Sequence, residues 1–182
     1  MIISLCGFMG AGKTTIGKNM ASEIGCKFID LDNYIEKKTG MSINEFFSLK
    51  GESEFRKEEN ISLREILEKY SSKRCKKLED NLILALGGGT LTTEANTLLI
   101  KARTYCIYLR CRKSELAKRL EKSNSQRPVL KNKRREELEK YIYDLVQERE
   151  PSYFDCADLA VEINDGDLKN TLDRILNTID IL

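Results

Sequence analysis

Histidine is absent from all 182 residues. Acid–base chemistry near neutral pH must therefore fall to a carboxylate, a lysine, a tyrosine or a cysteine. Without histidine the six cysteines (Cys6, Cys26, Cys75, Cys106, Cys111 and Cys156) cannot complete a mixed zinc site, and none of them forms a C-x-x-C pair. Cys6, Cys26 and Cys106 lie in or beside apolar runs and read as small core residues, which fits a reduced cytoplasm. No apolar run has membrane-spanning length. The opening Met-Ile-Ile-Ser-Leu-Cys-Gly lacks a charged n-region, so no signal peptide is expected. Excess charge of one sign is missing too: 31 Lys and Arg face 29 Asp and Glu, which gives no global basic field to recruit nucleic acid. Internal repeats and low-complexity segments are also absent. The length suits one domain, residues 1–182, with a real core.

What is present begins at residue 7. Gly7-Phe8-Met9-Gly10-Ala11-Gly12-Lys13-Thr14 has the spacing G-x-x-x-x-G-K-T of a phosphate-binding loop. The apolar run Ile2–Cys6 precedes it as a strand, and Lys13–Ile24 follows as a helix stopped by Gly25. That context is what the motif needs: backbone N–H groups and a helix N-terminus converge on one anion. Gly10, Ala11, Gly12, Lys13, Thr14 and Thr15 are thus expected to bind a nucleoside triphosphate. Lys13 would reach the β- and γ-phosphates, and the Thr14 hydroxyl would hold Mg²⁺.

Further along, Lys27–Asp30 reads as a short strand with Leu31-Asp32 just past its end. Asn33–Thr39 reads as a helix stopped by Gly40. Ser42-Ile43-Asn44-Glu45 is a capping box, Lys50-Gly51-Glu52 breaks the helix it opens, and Glu54–Tyr70 is helical again. Ser71–Asn81 is a basic linker. Leu82–Leu86 is a continuous apolar run, as expected of a strand buried on both faces, and Gly87-Gly88-Gly89 follows it. A helix from Thr92/Thr93 to Ala102, a strand Thr104–Leu109 and a helix Glu115–Glu121 capped by Ser114 come next. Residues 122–135 are polar and basic, with the character of a mobile lid. Glu136–Glu150 should be a helix ending at Pro151, Ala157–Ile163 the last strand, and Asp167–Ile179 an amphipathic helix. Five strands interleaved with helices imply an α/β fold, a parallel sheet with helices on both faces.

Three constellations outside the glycine loop carry chemistry. Asp30 and Asp32 stand two apart at a strand end, where ligands of open parallel sheets sit. If the strand continues, they share a face; one carboxylate could help hold Mg²⁺ and the other accept a proton, or both could be capping aspartates. Arg56 and Arg149 could fork a carboxylate by paired hydrogen bonds, or be ordinary surface arginines. Arg127 could swing from the lid onto the triphosphate, or lie in a solvated loop. Gly87, Gly88 and Gly89 allow close approach of a ligand, or simply form a flexible turn.

Taken together, these stretches resemble the shikimate kinases. The matching segments are Gly7–Thr14, Phe28–Asp32, Ile35-Glu36 with Thr39–Ile43, Gly51-Glu52-Ser53-Glu54-Phe55-Arg56, Leu84–Gly89, Arg127-Pro128-Val129-Leu130, and Arg149–Tyr153 with Ala157. They occur in the family's order and cover nearly the whole chain. The resemblance implies a three-layer P-loop kinase fold with sheet order 2-3-1-4-5. It also implies transfer of the γ-phosphate of ATP to the 3-hydroxyl of shikimate, within the chorismate route to aromatic amino acids. The implied roles are residue by residue. Asp30 joins the magnesium shell, Asp32 binds shikimate hydroxyls and acts as base, and Arg56 and Arg149 clamp the carboxylate. Gly87, Gly88 and Gly89 meet the substrate, Arg127 comes from the lid, and residues 31–70 form the substrate subregion. By position alone, Arg119 and Asn164–Gly166 fall near adenine. A Walker-B aspartate is missing after Leu82–Leu86, so Asp30 must serve. A monomer is expected, with no nucleic-acid or membrane partner. Other readings are a gluconate or nucleoside monophosphate kinase of the same fold, and a non-catalytic nucleotide-binding module.

Overall fold

The computed structural model describes residues 1–71, 81–122, 135–163 and 168–179. Arg127 and the rest of the stretch expected to be a lid up to residue 134, residues 72–80 of the Ser71–Asn81 linker, and the Asn164–Gly166 stretch lie outside the described residues.

Strands β1 (Ile2–Cys6), β2 (Lys27–Asp30), β3 (Leu82–Ala85), β4 (Tyr105–Cys111) and β5 (Leu159–Ile163) form one sheet in the order β2-β3-β1-β4-β5. Every neighbouring pair is parallel, with Ile3 opposite both Ile83 and Tyr105. The central strands β1 and β3 are buried at every residue, which is why they read as unbroken apolar runs. Alternation along the strands divides the core. Ile3, Leu5, Ile83, Ile107, Leu109 and Val161 pack on one face with helices α1 (Lys13–Ile24) and α7 (Leu168–Ile179). Leu82, Leu84, Cys106 and Tyr108 pack on the other with α3 (Ile43–Ser71), α4 (Glu94–Arg103) and α6 (Arg135–Cys156). Leu63 and Leu67 of α3 are fully buried there. Truncating either to alanine costs about 2–5 kcal/mol. The remaining helices are α2 (Leu31–Thr39) and α5 (Lys113–Lys122). Among the described residues no helix is long and apolar enough to cross a membrane.

Several boundaries differ from the sequence expectation. Helix α2 starts at Leu31, directly after β2, because Asp30 caps it: its Oδ1 accepts from the Asn33 backbone N–H at 3.2 Å. The expected shared strand face for Asp30 and Asp32 therefore does not form, and Asp32 lies in the first helical turn. Helix α5 starts at Lys113, with the Arg112 carbonyl accepting from Glu115 and Leu116, so Ser114 is inside the helix rather than its cap. Helix α6 runs through Pro151 to Cys156. The lost backbone bond is offset by burial of Tyr153 and Cys156, at 1% and 4% exposure. Strand β3 ends at Ala85, one residue short of Leu86, and β5 begins at Leu159 rather than Ala157. The capping box is formed, with Ser42 N–H donating to Glu45 Oε2 at 2.8 Å and Glu45 N–H to Ser42 Oγ at 3.3 Å. Gly51, at φ 80°, breaks α3 internally.

Candidate active site

The glycine loop leaves the C-terminal end of β1 with Gly7 at φ 137° and its Cα against the Leu109 carbonyl. A Cβ there would lie 2.6 Å from that oxygen. Gly12 at φ 90° delivers the chain into α1, whose first bond runs from Ile16 N–H to the Gly12 carbonyl at 2.9 Å. Ala11 is fully buried and donates its N–H to the Phe8 carbonyl. The Lys13 ammonium closes the loop, donating to the Gly7 and Phe8 carbonyls at 2.8 and 3.0 Å. Thr14 Oγ1 donates to Asp30 Oδ2 at 2.6 Å. Thr15, the next residue, is exposed. The Gly10 carbonyl accepts from Arg119 Nη1 at 3.2 Å, which fixes α5 over the loop.

The ends of β2 and β3 complete the floor. Gly87, Gly88 and Gly89 adopt no positive φ, so conformational freedom is not their purpose. Space is. A Cβ on Gly87 would sit 2.7 Å from Asp32 Oδ1, one on Gly88 3.1 Å from the Met9 nitrogen, and one on Gly89 2.5 Å from Arg56 Nη2. Each glycine thus admits a different neighbour: the acid, the phosphate loop and the guanidinium. Arg149 reaches the same turn from α6, with Nη1 donating to the Gly88 carbonyl at 3.3 Å. Its Nε is buried and meets no acceptor among the described residues. Asp32, Arg56 and Arg149 are therefore gathered around one three-residue turn beside the glycine loop.

Electrostatics distinguish the two aspartates. Burial, followed by repulsion from Asp30, holds the Asp32 carboxyl above its ordinary 3.8, at about 6. Lys13 opposes this rise, while Glu59 and Glu36 add to it. A carboxylate with that affinity is poised to take a proton near neutral pH.

Sequence reasoning missed the residues behind the arginines. Glu59 is 1% exposed and accepts from Arg56 Nη1 at 2.9 Å and from Thr90 Oγ1 at 2.7 Å. Glu52 holds the other edge of Arg56 at 3.0 Å. The Thr90 carbonyl accepts in turn from buried Asn96, which Asn60 grips at 2.7 Å. Tyr153 donates its hydroxyl to the Gly88 carbonyl at 2.5 Å. A signal existed for two of them. Glu59 follows Arg56 by three residues and Tyr153 follows Arg149 by four, so each shares a helical face with its arginine.

A glycine loop and a Thr–Asp pair at the end of a parallel sheet ordered 2-3-1-4-5 define a P-loop kinase. The family model for shikimate kinase matches residues 9–180. The shikimate kinase of Dictyoglomus turgidum is 38% identical over 179 residues, covering 97% of this chain and 96% of its own. That of Parabacteroides distasonis is 38% identical over 180 residues, with 96% and 98% covered. Among solved structures, the shikimate kinase of Bacteroides thetaiotaomicron superposes with a TM-score of 0.87 at 29% identity over 99% of this chain and 98% of its own. The Acinetobacter baumannii shikimate kinase in complex with shikimate gives 0.85 at 33% identity over 99% and 93%. The chain belongs to the shikimate kinase family.

Proposed function

We propose that this chain transfers the γ-phosphate of ATP to the 3-hydroxyl of shikimate, acting as a cytoplasmic monomer. The observation that carries the reading is the convergence of Asp32, Arg56 and Arg149 on the Gly87–Gly89 turn beside the glycine loop. A small hydroxylated acid needs such a set: guanidinium forks for its carboxylate and an anionic acceptor for its hydroxyls. The buried Arg149 Nε–H has its acceptor in an incoming carboxylate. Backbone N–H groups of Gly10 and Gly12, with Lys13 and Thr15, grip the triphosphate, while the Ala11 N–H, bonded to the Phe8 carbonyl, holds the loop in shape. Arg127 adds positive charge to the triphosphate. Free thiols at all five described cysteines suit a reducing compartment.

Thr14 Oγ1 and Asp30 Oδ2 are hard oxygen donors side by side, which fits Mg²⁺. Among the described residues no cluster of three or more His, Cys, Asp or Glu side chains can hold a metal by itself, which suits an ion shared with phosphate and water. When bound, Mg²⁺ supplies charge neutralisation of the phosphates. Asp32 accepts the proton of the attacking hydroxyl, and Lys13 offsets the charge that develops on the transferred group. Because phosphoryl transfer passes through a loose transition state, positioning does most of the work and a weak base suffices.

The test is a coupled assay of ADP release with shikimate, gluconate and nucleoside monophosphates in parallel. Turnover restricted to shikimate is expected. Preference for gluconate or a nucleotide makes it another kinase of this fold, and ATP binding without turnover makes it a non-catalytic module.

A further inference from the structure

Glu59 and Thr90 stand behind Arg56, and Tyr153 stands behind Arg149. Tyr153 lies on α6 four residues beyond Arg149, at 1% exposure, with its ring tilted 37° to that of Tyr108 and the centroids 5.3 Å apart. Nothing about the hydrophobic core requires a hydroxyl at this position. A phenylalanine would bury the same ring, and a buried phenol must find a partner or pay for losing water. The partner it finds is the Gly88 carbonyl, the same oxygen that accepts from Arg149 Nη1. A carbonyl has two lone pairs, and here α6 supplies donors for both.

We infer that Tyr153 is a positioning residue for the acid-binding half of the site, its hydroxyl anchoring the carbonyl that Arg149 also grips. The inference rests on the reading of Arg149 as a carboxylate clamp. A flexible guanidinium loses much rotational freedom when it binds, unless the protein already holds it. Arg149 has one such hold in the Gly88 carbonyl, and that carbonyl is an aim point only while its peptide plane stays fixed. Gly88 and Gly89 have no side chains to fix it. Tyr153 does so through a rigid ring with no acidic proton to lose: burial pushes its phenol well above its ordinary value, so it remains a donor throughout the working pH range. Because the peptide is planar and trans, pinning the Gly88 carbonyl toward α6 also sets the Gly89 N–H on the opposite side. Gly89 lies directly against Arg56. Thr90 and Thr92 hold the Gly87 and Gly89 carbonyls, and the Tyr153 hydroxyl holds the one between them, so the turn on which both arginines converge is fixed on the α6 side by this phenol.

The experiment measures KM for shikimate, KM for ATP, kcat and Tm for the wild type, Tyr153→Phe, Tyr153→Leu and Arg149→Lys. Removing the single oxygen in Tyr153→Phe should raise KM for shikimate about five- to tenfold and leave KM for ATP within twofold. Tyr153→Leu, which also loses the ring, should show the same split with a lower Tm. A merely structural tyrosine lowers Tm in both variants without separating the two KM values, and that result overturns the inference. So does a Phe variant equal to the wild type beside an impaired Leu variant, since packing alone then matters. If Arg149→Lys raises KM for shikimate while Tyr153→Phe does not, the inference falls and the clamp stands. If the wild type ignores shikimate, or Arg149→Lys leaves its KM unchanged, the site reading itself falls.

Discussion

Asp32→Asn separates what the site needs from what the fold prefers. The wild-type carboxyl is held at about 6 instead of its ordinary 3.8, chiefly by burial and by the charge of Asp30. The folded state therefore binds this proton more tightly than the unfolded chain. Its stabilising contribution is complete below about pH 4 and is lost as pH rises through 6. At about 1.36 kcal/mol per pH unit, the ionised carboxylate costs up to about 3 kcal/mol at pH 8 relative to full protonation. About half of that, roughly 1.4 kcal/mol, is lost between pH 5 and pH 8. Asparagine keeps the shape and does not titrate. The variant should gain on the wild type by about 3–6 °C in Tm between these two pH values, at about 2–4 °C per kcal/mol for a chain of this size. Its kcat should fall by about 10²–10⁴, the usual contribution of a general base, while ATP still binds. Calorimetry at pH 5 and pH 8, with steady-state kinetics on the same samples, checks both. A Tm difference that does not change with pH refutes the account of the strained carboxylate. An unchanged kcat removes Asp32 from the chemistry.

Wild-type kcat/KM for shikimate should drop about tenfold per pH unit below about pH 6, where Asp32 takes up its proton; a profile flat to pH 5 contradicts this. Gly89→Ala puts a Cβ 2.5 Å from Arg56 Nη2, so the guanidinium must shift. It should raise KM for shikimate at least about tenfold and leave KM for ATP within twofold, measured in the coupled assay. Glu59→Ala strips buried Arg56 of one partner and should cost about 3 kcal/mol by denaturant unfolding. That is the lower end for a broken buried pair, because Glu52 remains. Thr14→Ala should raise the Mg²⁺ concentration needed for half-maximal activity, whereas Thr14→Ser, which keeps the hydroxyl beside Asp30, should not.

The phosphate loop was legible because its physics is local: a strand, a run of glycines and a helix N-terminus are contiguous in the chain. The buried strands β1 and β3 were legible for the same reason, as short unbroken apolar runs. The order of the sheet was not readable from periodicity and came from the resemblance. Pro151 misled because local chemistry said stop, while the burial of Tyr153 and Cys156 two and five residues later favoured continuing. The pairing of Glu59 with Thr90 was invisible for another reason. They are 31 residues apart and meet only when α3 crosses the end of β3. The triple glycine reads from sequence as room for a ligand or a flexible turn; the protein groups set against it, Asp32, Met9 and Arg56, come from three separate elements that only the fold brings together.

The misplaced helix start has a chemical consequence. Had Asp30 and Asp32 shared a strand face, their carboxylates would point the same way and compete for one cation. Asp30 instead ends the strand as the cap of α2, and the helical turn that follows rotates Asp32 away from it. Asp30 faces the Thr14 hydroxyl, and Asp32 faces the turn at Gly87. The two acids remain close enough for Asp30 to raise the proton affinity of Asp32, yet are aimed at different partners. A cation beside Asp30 would offset part of that repulsion, while the phosphates it accompanies would act in the opposite sense. The coupling follows from a single helix cap, a feature of local sequence that assigns one carboxylate to the phosphate side and its neighbour to the acceptor side.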